Sequence, residues 1–131
     1  MNDDEFAQAF LTGSLPPGQF HHRDHLRLAW VLIRRHGLTH ASAMIGSGIR
    51  HYAAAHGHTG LYHETLTQFW IGLVGHLVQE RPEITDFEAF LVAFPHVLDK
   101  GLPARHWQQD TLGGSGARAT WVAPDRLALP W

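Results

Sequence analysis

The sequence contains no cysteine. That absence excludes disulfides, thiolate metal ligands, iron–sulfur clusters and a cysteine nucleophile together, and it leaves nitrogen and oxygen as the only donors for a bound metal. Long hydrophobic runs are missing as well. No stretch approaches the roughly 18 apolar residues of a membrane-spanning helix, so no membrane partner is expected. Charge of one sign is nowhere concentrated: ten basic and twelve acidic residues give a formal charge of −2. Without a basic stripe to neutralise phosphates, nucleic acid is not expected as a partner. The opening Met1-Asn2-Asp3-Asp4-Glu5 is acidic where a secretory signal is basic, which predicts a cytoplasmic protein.

What is present is apolar bulk and histidine. The 131 residues are 44% hydrophobic and include seven Phe and five Trp, enough to bury one core and to predict a single domain over 1–131. Histidine occurs twelve times. Its neutral imidazole binds borderline metals and its pKa suits proton transfer near neutrality, so the positions of these residues carry the functional reading.

Helical periodicity dominates the chain. Asn2 or Asp3 caps a short first helix ending at Thr12-Gly13, and Ser14 to Gln19, with Pro16-Pro17-Gly18, reads as a loop. A second helix starts around His21 to Asp24 and stops at Gly37, with Leu26, Ala29, Trp30 and Ile33 at three- and four-residue steps. Thr39 caps a third helix through about Ala55, weakened by Gly46 and Gly48, which permit close packing. His56-Gly57-His58-Thr59-Gly60 reads as a turn. The strongest signal follows, with Leu66, Phe69, Trp70, Leu73, Val74 and Leu77 forming a wide apolar face up to the Pro82 stop. Thr85 or Asp86 caps a fifth helix through Phe94. Beyond Pro95 the pattern is less regular, with one short helix near Ala117 and an extended tail lying across the bundle. The expectation is an all-α compact bundle of four to six helices with an extended C-terminal tail.

Three histidines stand out. In Phe20-His21-His22-Arg23-Asp24-His25-Leu26, either His21 or His22 shares a helical face with His25 and can grip one ion with it; His22 with His25 is the preferred pair, because both align with the stripe of Leu26, Ala29 and Ile33. His63, in Tyr62-His63-Glu64-Thr65-Leu66-Thr67, lies one turn before Leu66 on the other strongly amphipathic helix. If the two stripes pack together, His22, His25 and His63 form a three-nitrogen metal site, with Glu64 or Asp24 as fourth ligand or proton acceptor. Zinc, iron and copper all accept imidazole, and the sequence does not choose among these divalent transition metals. The remaining histidines have simpler readings: His36 and His40 flank the Gly37 break, His56 and His58 fall in the turn, and His51, His76, His96 and His106 lack a partner at chelating spacing.

The segments Phe20-x-His22-x-Asp24-His25-Leu26-x-x-Ala29-Trp30, Tyr62-His63-Glu64-Thr65-Leu66-Thr67 and Ala117-Arg118-x-x-Trp121-Val122-x-Pro124-Asp125 resemble a group of small bacterial helical proteins that carries no assigned activity. The resemblance implies that the three segments form one site. Better-known helical metal sites fit less well, because the chain has no Glu-x-x-His pair, no His-Asp doublet and no His-Glu-x-x-His. Gly113-Gly114-Ser115-Gly116 lacks the Lys-Ser/Thr of a phosphate loop and reads as a flexible connection.

The functional expectation is a metal-dependent enzyme acting on a small molecule by hydrolysis or elimination. His22, His25 and His63 hold the ion, Glu64 and Asp24 handle protons, Arg118 orients the substrate, and Trp30, Trp70 and Trp121 wall the pocket. An iron- or copper-dependent oxidoreductase with the same ligands is one alternative, and a metal-binding or ligand-sensing module without catalysis is another. The sequence leaves homo-oligomerisation open.

Overall fold

The computed structural model describes residues 1–16, 18, 20–57 and 62–131. Pro17 and Gln19 of the first expected loop, and His58, Thr59 and Gly60 of the expected turn, lie outside the described residues, as does Leu61. The described residues are all helical or irregular, with no strand among them. The helices are α1 (Asp3–Leu11), α2 (His22–His36), α3 (Leu38–Ala55), α4 (Glu64–Glu80), α5 (Phe87–Ala93), α6 (Gln109–Gly113) and α7 (Ser115–Ala119). Two 3₁₀ turns, Pro95–Leu98 and Leu102–Arg105, stand between α5 and α6. No helix among them is long and apolar enough to cross a membrane.

Local chemistry explains where the elements begin. The Asn2 side chain accepts from the Glu5 amide at 2.8 Å and starts α1. Asp24 accepts from the His21 amide at 2.9 Å across the first turn of α2, and Asp86 accepts from the Ala89 amide at 3.0 Å to start α5. Each satisfies a backbone donor that has no partner inside the helix. The expected Thr39 cap is displaced by two residues: Gly37 takes the capping position of α3 without a side-chain bond.

Helix α2 is the centre of the bundle and packs against α1, α3 and α4. Leu26, Leu28, Ala29, Trp30, Val31, Leu32 and Ile33 are all buried along it, so its apolar surface is far wider than one stripe. A helix enclosed on several sides buries residues around most of its circumference. Phe69, Leu73, Val74 and Leu77 of α4 face the same core. Close approach of α1 to α3 depends on Gly48, where an added Cβ would clash with the Phe10 ring, its Cζ only 2.8 Å away.

The segment after α7 is extended and crosses the bundle, as the sequence predicts. It is pinned by buried polar groups. Thr65, fully buried on α4, donates its hydroxyl to the Thr120 carbonyl at 2.9 Å and accepts from the Val122 amide at 3.1 Å. The indole of Trp107, also fully buried, donates to the Val122 carbonyl at 2.9 Å.

Candidate small-molecule site

A cavity of about 250 Å³ lies where α2, α3 and the start of α4 meet, and all three singled-out histidines line it. Tyr62, Thr67 and Trp70 line it too, and Ala29, Ile45, Ile49, Leu66 and Ile71 supply its apolar wall. The packing of the two amphipathic helices thus does bring His22, His25 and His63 to one enclosure. Their ring chemistry differs.

His22 stands at the first position of α2. Its Nε2 lies 2.9 Å from the Val97 carbonyl, and because a carbonyl only accepts, Nε2 carries the proton and Nδ1 is left as the bare acceptor. The ring packs edge-on against Trp70 at 4.4 Å. Burial lowers its pKa from the ordinary value; the Val97 carbonyl opposes that and Lys100 adds to it.

His25 lies one turn further along, its ring 4.0 Å from that of Phe20. Burial pushes its pKa down to about 4, with His22 acting in the same direction and the Asp24 carboxylate and Phe20 carbonyl only partly offsetting it. An apolar enclosure penalises the imidazolium and not the imidazole. Near neutrality His25 is therefore uncharged.

His63 has a structural task. It caps α4, its Nδ1 accepting from the Leu66 amide at 3.1 Å, while Nε2 lies 2.7 Å from the Leu112 carbonyl. The first bond needs a lone pair and the second a proton, so both ring nitrogens are engaged in this arrangement. Among the described residues, no three His, Asp or Glu side chains stand close enough to hold one ion. The expected three-histidine ligand set does not fit this arrangement, because the third ring has no nitrogen to give.

The other candidates separate around the cavity. Glu64 lines a neighbouring groove of about 750 Å³ together with Gln68, Trp121 and Trp131. It is joined to the histidine cavity through Tyr62, whose hydroxyl donates to Glu64 Oε1 at 3.1 Å. Burial and the Glu64 charge raise the Tyr62 pKa to about 12, so the phenol keeps its proton. Gln68 Nε2 also donates to Glu64 Oε1, at 3.0 Å, and Ser42 donates to Gln68 Oε1 at 2.9 Å. Ile71 belongs to both walls.

Asp24 serves the helix start and is not part of the cavity lining. Trp30 is buried in the core beside Phe87 at 5.7 Å and borders a separate cleft with Arg34 and Thr85. Trp70 walls the histidine cavity and Trp121 the groove. Arg118 on α7 donates from Nη1 to the Tyr62 carbonyl at 3.4 Å, bracing the strand of chain that delivers His63. Sequence reasoning passed over Tyr62 and Thr67, although both lie inside the Tyr62 to Thr67 segment. Comparison of the chain with known protein families, with curated proteins and with solved structures finds no match.

Proposed function

We propose that this chain binds a compact, largely apolar small molecule carrying one protic group, such as a hydroxyl or amide N–H, in the histidine cavity. The observation that supports this reading is the pairing of an apolar wall with two imidazoles whose charged forms are disfavoured by burial. Neutral imidazole accepts a hydrogen bond at its unprotonated nitrogen. A few placed acceptors in an otherwise apolar enclosure are how small ligands are oriented and selected. His22 contributes Nδ1, His25 its own ring, and Trp70, Ile45 and Ile49 contribute contact area.

A second reading is favoured by the three-residue spacing of His22 and His25 on α2. Two neutral imidazoles on one helical face suit a divalent transition metal such as zinc, iron or copper. The ligand would then complete the coordination, and hydrolytic, eliminating or oxidative chemistry at the metal becomes the associated activity. Displacing His63 from its two hydrogen bonds would be needed for a third imidazole.

One nuclear magnetic resonance experiment separates these readings. Small ring compounds bearing a single hydroxyl or amide are titrated into protein while the ring C–H signals of His22 and His25 are followed, with Ala29→Leu as the filled-cavity control. Both rings should shift with the same compounds, and Ala29→Leu should abolish the shifts. If no compound moves either ring, or if Ala29→Leu binds as before, the cavity reading fails. Zinc added to the same sample tests the second reading, which requires a one-to-one complex lost in His25→Ala.

A further inference from the structure

The groove beside the cavity is a different chemical environment. It is walled by Trp121 and Trp131, with Gln68 and Ser42 along its polar side, and among the described residues Glu64 is the one lining residue with an ionisable side chain. Trp121 is 43% and Trp131 41% exposed, an unusual amount of indole to leave in water on one groove. No Lys, Arg or His among the described residues lines it.

Among the described residues, the charged side chain in the groove lining is acidic. The Glu64 side chain is only 18% exposed and is oriented by two neutral donors, the Tyr62 hydroxyl and the Gln68 amide. Its cationic neighbour, Arg50, is 57% exposed and 3.5 Å away, a solvated contact that holds the carboxylate weakly. Indole faces present the negative side of their quadrupole. The first turn of α3 borders the groove at Leu38 and Thr39, but its partial positive pole falls off within a turn, whereas the carboxylate carries a full charge.

Trp131 is held in position by shape. A Cβ on Gly72 would sit 2.6 Å from Trp131 Nε1, so the absent side chain is what lets the indole approach α4 so closely. Trp121 is braced in turn by Trp107, which it meets edge-on at 5.6 Å and 88°. An oriented carboxylate in a groove also lined by two indoles attracts a positive centre surrounded by apolar groups, since such a centre gains from both the charge and the ring faces.

We propose that this groove binds an organic ammonium group with alkyl substituents, with Glu64 as counter-ion and Trp121 and Trp131 as flanking faces. A neutral polar ligand would not use the Glu64 charge, and an anion would be repelled by it. This assignment goes beyond the histidine-cavity reading and does not depend on it, because the lining residues differ except for Ile71.

The test compares choline with its uncharged analogue 3,3-dimethylbutan-1-ol, which has the same shape and no charge. Binding to the full chain is read from the indole N–H signals of Trp121 and Trp131 in ¹H–¹⁵N spectra. Choline should shift both signals and bind about tenfold more tightly than the alcohol. Glu64→Gln keeps an acceptor for Tyr62 and removes the charge, and it should lose that preference while circular dichroism stays unchanged. Gly72→Ala should displace the Trp131 signal and weaken choline binding. Equal affinity for choline and the alcohol, undiminished choline binding by Glu64→Gln, or indole signals unmoved by choline would each overturn the assignment.

Discussion

At the residue scale, the cavity makes one histidine a determinant of acid stability. His25 titrates at about 4 in the fold and near 6.5 in an unfolded chain. Between those values the unfolded state binds the proton that the folded state refuses, so stability rises with pH across this window and falls as the solution is acidified from about 6.5 toward 4. The gap corresponds to about 3 kcal/mol for this single group, and the downward shift of His22 acts in the same direction. The urea midpoint should drop markedly between pH 6.5 and pH 4, and His25→Gln should flatten that dependence. An unchanged slope in the variant would place the acid sensitivity elsewhere. The same scale shows what the sequence could reveal of the site. The three-residue spacing of His22 and His25 sufficed to put both on one wall, and the apolar stripe after Leu66 brought His63 to the same enclosure. That His63 would spend both nitrogens on the backbone was not legible, because its Leu112 partner lies 49 residues away in a stretch without periodicity.

At the scale of elements, α1 to α5 were readable because caps and stops are local chemistry: Asn2, Asp86 and Pro82 act on neighbours within a turn. Position 37 shows the limit, since the same glycine both closes α2 and opens α3, leaving Thr39 inside the helix. The two glycines of α3 make a sharper comparison. At Gly48 a methyl group would clash with the ring of Phe10, which is 1% exposed and cannot withdraw. At Gly46 the nearest atom to an added Cβ is the Tyr62 hydroxyl oxygen at 3.7 Å, an ordinary contact. Gly48→Ala should therefore lose about 1–3 kcal/mol to overpacking, partly offset by helix propensity. Gly46→Ala should gain up to about 1 kcal/mol from the same propensity. Thermal midpoints moving in opposite directions check the pair, and matching shifts would contradict the close approach of α1 to α3.

At the scale of the whole molecule, the helical bundle and its irregular final segment are held by different means. The bundle rests on broad apolar contact among α1 to α5, whereas the segment after α7 is fastened mainly by hydrogen bonds: Thr65 and Trp107 hold Thr120 and Val122, and Ala104, His106, Gln108 and Thr111 hold Asp125, Arg126 and Leu127. Protein regions that share few buried contacts open separately from the core and at lower cost. Native-state hydrogen exchange should accordingly divide the chain into two cooperative units. The Val122 amide should exchange faster than those of Leu28 and Val74, and its rate should rise further in Thr65→Val, which keeps the shape and removes both bonds. A single opening energy shared by all three amides would exclude this division. If it holds, the molecule's easiest excursion removes Trp121 from one wall while leaving the core intact. Ligands held there would then slow the exchange of the final segment alone, so an amide clock at Val122 would report occupancy of the groove that its neighbour Trp121 lines.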